Sequence, residues 1–290
     1  MTESLERLRL WAQRWAEHSA EEKLLSRLDV YKVVQPLTLP SEVYPPFISL
    51  ILQGEKQLRM GSQVVSYRAG HTFVAAIDLP ASGRIVYASE AAPYLAVRLT
   101  FDLAVIRALI ADLPEATATP AVHGVAIAEA SEAQLDAWLR LLQLQARPED
   151  VTIMAPLLER EIVYRVLQGP QGPLLRQMAD TCGYFASIRT AVDWLKIHYA
   201  TPVCMAALAQ RATMSLSVFH RRFKASTGFS PLQYQKHLRL YAARDRLFRQ
   251  PGNVAAVAAA VGYESLTQFT REYTRLFGCP PARDVKRRAL

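Results

Sequence analysis

Arg221 and Arg271 stand fifty positions apart in closely similar surroundings, among side chains of the kind that read a DNA duplex. An arginine fork can take guanine O6 and N7 bidentately, and a glutamine such as Gln268 can take adenine N6 and N7. Each such pair adds about 1 to 3 kcal/mol of discrimination. Helical spacing sets Ser217, His220 and Lys224 on the face that carries Arg221, and Thr267, Gln268 and Arg275 on the face that carries Arg271. Arg222, Lys224, Lys236, Arg239, Arg275 and the terminal Lys286-Arg287-Arg288 suit phosphate oxygens, contacts that fix register on a duplex without reading sequence. Any one of these side chains could be no more than a solvated helix face. Their repetition in register argues for a shared task.

A short alanine-rich helix, a tight turn and a longer basic helix must position them, once over 205–224 and again over 254–273. A helix-turn-helix needs a small residue in its first helix for close crossing, a turn that often takes a positive φ, and a capped second helix with an apolar inner stripe. Ala209 and Ala258 supply the crossing, Ser215 and Ser265 the N-caps, and Phe219/Phe223 and Phe269/Tyr273 the stripes. A long helix over 231–248 links the two units. At roughly 27 Å it approaches the approximately 34 Å between successive major-groove faces on one side of B-DNA.

The charge distribution fits such a module. Residues 1–175 carry 16 Lys/Arg against 20 Asp/Glu, whereas residues 176–290 carry 18 against 6, so all of the +8 net charge comes from the C-terminal part. A solubility device needs no such polarisation. With six to ten phosphates contacted, affinity for a duplex falls by about 10³ to 10⁵ between 50 and 200 mM salt. Half of the residues are hydrophobic and no run approaches the roughly 18 apolar residues of a membrane span, which argues against a membrane protein. The first residues mix Glu and Arg with Leu and Trp, unlike a secretory leader. Three cysteines, Cys182, Cys204 and Cys279, show no metal-binding or redox spacing, and a cytoplasmic chain with free thiols is expected.

Toward the N-terminus the texture differs. An amphipathic helix over 3–27 places Leu5, Leu8, Trp11 and Trp15 at helical spacing. Short β-branched and aromatic runs follow at 30–38, 47–53, 56–60, 63–67, 72–77, 84–88 and 94–101, separated by turn residues that include Pro80-Ala81-Ser82-Gly83. That cadence is expected of a small antiparallel barrel or sandwich. Helices over 132–145 and 152–167 carry stripes of Leu135, Trp138, Leu139 and Leu142, and of Ile153, Leu157, Leu158, Glu161 and Val163. Those stripes could cover the β domain or meet the same pair in a second chain. Gly169-Pro170-Gln171-Gly172-Pro173 is the strongest breaker cluster and the expected start of a hinge.

Residues 187–288 resemble the DNA-binding domain of AraC/XylS-type regulators. The signatures are Ser217-Val-Phe-His-Arg-Arg-Phe-Lys224 with Thr227-Gly-Phe-Ser-Pro-Leu-Gln-Tyr234, and Gly262-Tyr-Glu-Ser-Leu-Thr-Gln-Phe-Thr-Arg-Glu-Tyr273 with Leu276-Phe-Gly-Cys-Pro-Pro281. The N-terminal part, through Ile51-Leu-Gln-Gly-Glu-Lys56, Asp78-Leu-Pro80 and Ala88-Ser89, is similar to the cupin-like domain of one branch of that family. The resemblance implies an α+β chain of two domains. A cupin-like β-barrel domain with flanking helices occupies 1–168, with β core 29–102 and helices 131–168. A linker at 169–186 follows, then an all-α domain at 187–290 with two helix-turn-helix units joined by a long helix. It implies base contacts from Ser217, His220 and Arg221 and from Leu266, Thr267, Gln268 and Arg271. The implied partners are double-stranded DNA, RNA polymerase, a small-molecule effector and a homodimer mate held through 131–168. Two departures stand out: Thr213 where the family often has Gly, and Asp284-Val285 where it often has an aromatic-Arg pair.

Cupin enzymes hold a metal through a His-x-His pair on a strand. Here His18, His71 and His123 are isolated, so neither metal nor cofactor is expected. A binding pocket lined by Phe47, Ser49, Ile51, Tyr67 and Phe73 is expected instead. The alternative is a metal-dependent cupin enzyme carried on a DNA-binding domain.

Overall fold

The structure, a computed structural model, describes residues 3–18, 25–39, 41–114, 123–250 and 252–288. The His18 and Arg288 side chains lie outside the described set. Helix α1 (Glu3–His18) buries Leu5, Leu8, Ala12 and Trp15 along one stripe. The strands are β1 (Leu28–Val33), β2 (Leu37–Thr38), β3 (Glu42–Tyr44), β4 (Phe47–Gln53), β5 (Glu55–Met60), β6 (Gln63–Arg68), β7 (His71–Ala75), β8 (Leu79–Tyr87) and β9 (Tyr94–Thr100). After α2 (Leu103–Asp112) comes a tenth strand, β10 (Val125–Glu129). They form two antiparallel sheets, in the orders β1-β9-β4-β7-β10 and β2-β8-β5-β6, with β3 added on β8. The sheets face each other as an open sandwich and are not joined into one ring, so the expected barrel is not closed among the described residues.

Three expectations are corrected here. Pro80-Ala81-Ser82-Gly83 is not a turn but lies within β8, which pairs first with β3 at Leu79–Ala81 and then with β2 and β5. A proline is tolerated where a strand exchanges partners, because the ladder bond it cannot donate is not required there. The β core also extends past Asp102, since β10 returns to pair with β7. The segment 169–186 is not an extended linker. Gly172 N bonds to Gly169 O at 2.9 Å in the turn from α4 (Val151–Gln168) to α5 (Gly172–Ala179), which starts with proline in its first turn as helices allow. Gln171 is buried and donates to the carbonyls of Thr72 and Ala126 at 3.2 and 3.0 Å, tying this turn to the sheet.

Helix α3 (Glu132–Gln143), begun by a Ser131/Gln134 capping box, buries Leu135, Trp138, Leu139 and Leu142 against α1 and α4. In α4 the buried face is Ala155, Leu158, Ile162, Val163 and Val166, while Ile153 and Leu157, expected on that stripe, are 68% and 55% exposed. The apolar residues of this helix occupy nearly all sides, so periodicity did not single out the inner face.

The helical part comprises α6 (Tyr184–His198), α7 (Met205–Arg211), α8 (Leu216–Thr227), α9 (Pro231–Arg249), α10 (Val254–Ala260), α11 (Leu266–Phe277) and α12 (Pro281–Arg288). One apolar core runs without a break from α1 through the first sheet to Phe219, Phe223 and Tyr234. The second helix-turn-helix has its own, around Leu247, Phe269 and Tyr273. The sandwich and helices meet tightly: Tyr234 Oη donates to Asp78 O at 3.0 Å, and Lys196 Nζ pairs with Asp78 Oδ1 at 2.6 Å.

Candidate nucleic-acid interface

Both helix-turn-helix units are built as their residues demand. Ala209 and Ala258 are 1% and 2% exposed, which lets α8 and α11 cross their supporting helices closely. The ring pairs Phe219–Phe223 and Phe269–Tyr273 have the same centroid separation, 5.5 Å, and the same tilt, 58°. Each recognition helix stops at a left-handed glycine, Gly228 or Gly278, whose N–H donates to the carbonyl of Lys224 or Thr274 at 2.8 Å. Ser265 Oγ accepts from Gln268 N at 3.3 Å, as a cap should. Ser215 occupies the N-cap position but makes no side-chain cap, and its hydroxyl lies 3.4 Å from Ser217 Oγ.

The two copies differ at the turn. Helices α7 and α10 are offset by 49 positions and α8 and α11 by 50, so the second turn is one residue longer. In the second copy Gly262 takes φ 91°, and a side chain there would strike Ala200 O. The first copy has Thr213 at φ 55°, the one non-glycine residue with positive φ among those described. Left-handed backbone costs a β-branched residue about 1 kcal/mol or more. Thr213→Gly is therefore expected to raise stability by about 1 kcal/mol, because Thr213 is exposed and, among the described residues, its hydroxyl bonds only to Ala212 O. Equilibrium denaturation of the two proteins checks this, and an unchanged midpoint speaks against strain at the turn.

The outer faces carry the expected readers. Ser217, Arg221, Leu266, Thr267, Gln268 and Arg271 are exposed and His220 is half-buried. Leu266, Thr267 and Arg271 border a shallow hollow with Thr270, Thr274 and Arg275. Gln268 is partly engaged, donating to Glu272 Oε1 at 3.2 Å. Burial alone would raise the Glu272 carboxyl, but hydrogen bonds from Lys236, Tyr263 and Gln268 outweigh it and hold the group below its ordinary range.

Not every cation expected on phosphate is free for it. Arg239 donates to the carbonyls of Tyr199, Gly262 and Thr201 at 2.7, 2.7 and 3.1 Å, and so clamps the end of α6 to the second turn. Lys236 pairs with Glu272 at 2.7 Å. These two side chains are structural, a role invisible in sequence because their acceptors come from distant segments. Arg222 is half-buried, its guanidinium 3.9 Å above the Tyr184 ring. Lys224, Arg275, Lys286 and Arg287 are exposed. Between the sandwich and the helices lies a cleft of about 820 Å³, whose walls include Arg59, Lys224, Lys236, His237 and Arg275. His237 is pushed down to about 4 by burial.

The residues expected to line an effector pocket do come together. Phe47, Ile51, Tyr67 and Phe73 share one buried cluster between the sheets, with Phe47–Phe73 and Tyr67–Phe73 centroids 5.6 and 5.1 Å apart. Ser49 is 7% exposed beside them. Sequence reasoning missed Tyr44, Lys56 and Arg98 in this region. The parity of Tyr94, Ala96 and Arg98 along β9 was the available signal, but Leu95, Val97 and Leu99 on the other face are equally apolar. No group of three His, Cys, Asp or Glu side chains gathers among the described residues, and no described helix is long and apolar enough to cross a membrane.

Two helix-turn-helix units on a shared scaffold, behind a β-sandwich, define a duplex-binding class of fold. Residues 24–174 match the family model of the AraC-type transcriptional regulator N-terminus, and residues 208–287 match a helix-turn-helix domain. The chain belongs to the AraC-type transcriptional regulators. It is 30% identical over 150 residues to the HTH-type transcriptional activator RhaS of Salmonella schwarzengrund and of Salmonella agona, covering 51% of this chain and 52% of each relative. The chain thus spans about half the length of these curated relatives. Among solved structures it resembles ToxT of Vibrio cholerae. The apo form of a ToxT variant gives a TM-score of 0.57 at 10% identity over 89% of this chain and 96% of that one. A ToxT structure with unsaturated fatty acid gives 0.57 at 8% identity over 91% and 96%. These likenesses are of fold.

Proposed function

We propose that the chain is a sequence-specific DNA-binding transcription regulator controlled by a small molecule held in its N-terminal sandwich. The carrying observation is that two helix-turn-helix units, rigidly joined through α9, both turn polar and cationic faces outward. Ser217, His220 and Arg221 read one half of the site, and Leu266, Thr267, Gln268 and Arg271 the other. Arg222, Lys224, Arg275, Lys286 and Arg287 hold phosphates. The test is selection from a random duplex library with Arg221→Ala and Arg271→Ala. Each variant is expected to relax preference by about 1 to 3 kcal/mol in one half only of an asymmetric site, with halves roughly one helical turn apart. Equal loss on all sequences assigns both arginines to phosphate and overturns the reading.

Phe47, Ser49, Ile51, Tyr67 and Phe73 line the effector pocket. Support comes from ToxT, of which one structure is described as bound to unsaturated fatty acid. Contact with RNA polymerase and a cytoplasmic setting belong to the same reading, supported by relatives that are named transcriptional activators. Pairing of two chains through α4 is supported by the exposed Ile153, Met154 and Leu157. The metal-dependent enzyme has no support, since the N-terminal match is to a regulator.

A further inference from the structure

Strand alternation puts two cations inside the N-terminal sandwich. In the first sheet Asp29, Arg98, Ser49 and Phe73 stand in one row of directly paired residues across β1, β9, β4 and β7. In the facing sheet Lys56 pairs in register with Tyr67 on one side and Ile85 on the other, so it takes an inward position between two core residues. The two cations converge on the same aromatic wall. Lys56 Nζ is 5.7 Å from the Tyr44 ring centroid. The Arg98 guanidinium carbon is 6.0 Å from that centroid, 5.7 Å from Phe47 and 5.2 Å from Tyr31. Room for the lysine stem comes from Gly83, where a Cβ would stand 3.0 Å from Lys56 Cε.

These charges are only partly compensated: the Glu42 carboxylate on β3 favours the charged form of both cations through space but forms an ion pair with neither. Arg98 donates to Asp29 Oδ2 at 2.7 and 3.0 Å, but no carboxylate among the described residues stands within ion-pair distance of Lys56. Burial, reinforced by the like charge of Arg98 and opposed by the more distant Glu42 carboxylate, pulls the Lys56 ammonium down to about 8, so at neutral pH it is still mostly charged. A cation taken out of water is costly unless a counter-charge meets it. A second group nearby is also unspent. Ser49, the in-register neighbour of Arg98, is 7% exposed, and its hydroxyl makes no well-formed hydrogen bond, with Tyr67 as a loose polar neighbour. Two cations and an idle hydroxyl, backed by aromatic rings, are complementary to an anion with an apolar body.

We propose that this end of the sandwich anchors an anionic effector, a small monocarboxylic acid whose carboxylate lies between Lys56 and Arg98 within reach of the Ser49 hydroxyl. Its apolar body rests on Phe47, Tyr67 and Phe73. The proposal depends on the sandwich being the effector domain and adds the chemical class. A cationic effector is excluded by repulsion, and a neutral one leaves Lys56 without its counter-charge.

The test titrates the full chain by calorimetry at pH 7 with 4-phenylbutanoate and decanoate, each beside its neutral primary amide. The acids are expected to bind at least about tenfold more tightly than the amides. Lys56→Met, which keeps the length of the side chain and removes its charge, should erase that preference, and Lys56→Arg should retain it. If amides bind the native chain as well as acids do, or if Lys56→Met keeps the preference, the anion assignment is overturned while the effector pocket stands. If neither acids nor amides bind and none of them moves DNA affinity, the assignment falls together with the pocket reading.

Discussion

Raising salt from 50 to 200 mM is expected to weaken duplex binding about 500-fold. Each phosphate met by a cation releases condensed counterions, and the logarithm of affinity falls with that of salt with a slope near −0.9 per contact. The sequence offers eight candidate cations for such contacts. The structure lowers that figure, because Arg239 is spent on backbone carbonyls and Lys236 on Glu272. Among the described side chains Arg222, Lys224, Arg275, Lys286 and Arg287 remain, so the slope from these five should be close to −4.5. Fluorescence anisotropy of a labelled duplex over this salt range measures it. A slope shallower than about −2 means that these side chains do not lie along the backbone, and the docking face must then be sought elsewhere.

Asp284→Ala is expected to cost about 3 kcal/mol in the second helix-turn-helix. Asp284 is 6% exposed. It accepts from Arg244 Nε and Nη2 at 2.8 and 3.2 Å and from Tyr273 Oη at 2.8 Å, joining α12 to α9 and α11. Removing one partner of a buried pair leaves the other charge uncompensated, which costs roughly 3 to 5 kcal/mol. The lower end applies because the Arg244 side chain keeps 20% exposure. Amide exchange in α11 and α12 should accelerate about 100-fold, while the strands of the sandwich exchange as before. Unchanged exchange in α11 would show that the apolar contacts around Tyr273 suffice. At the departure at 284–285, Asp284 makes an internal polar contact with Arg244 and Tyr273, and Val285 packs against the second core.

The sequence carried the helical third clearly because its signals are local. Alanine at a crossing, aromatic residues four apart and glycine after the last turn each fix geometry within a few residues, and α8 and α11 begin directly after Ser215 and Ser265, the residues expected as N-caps. The sandwich was legible only in outline. Pro80 and Gly83 read as a turn, yet β8 runs through them because β3 and β5 pair with it from far along the chain. The breaker cluster at 169–173 is a turn between two helices, since Gln171 finds its acceptors on β7 and β10. Of the binding faces, the exposed readers could be placed by helical period, whereas Lys56 and Arg98 could not. In strands buried on both sides, alternation distinguishes two faces but not which of them looks inward.

The unequal turns, with 49 positions between supporting helices and 50 between the helices they present, mean that the two halves are not copies of one tool. They are also strung in fixed order on a single polypeptide. A duplex gripped by both therefore acquires a head and a tail, and inverting the target produces a different complex rather than the same one turned round. Under the proposed function, direction along a duplex is set within one protomer, whether or not a second chain is paired to it through α4.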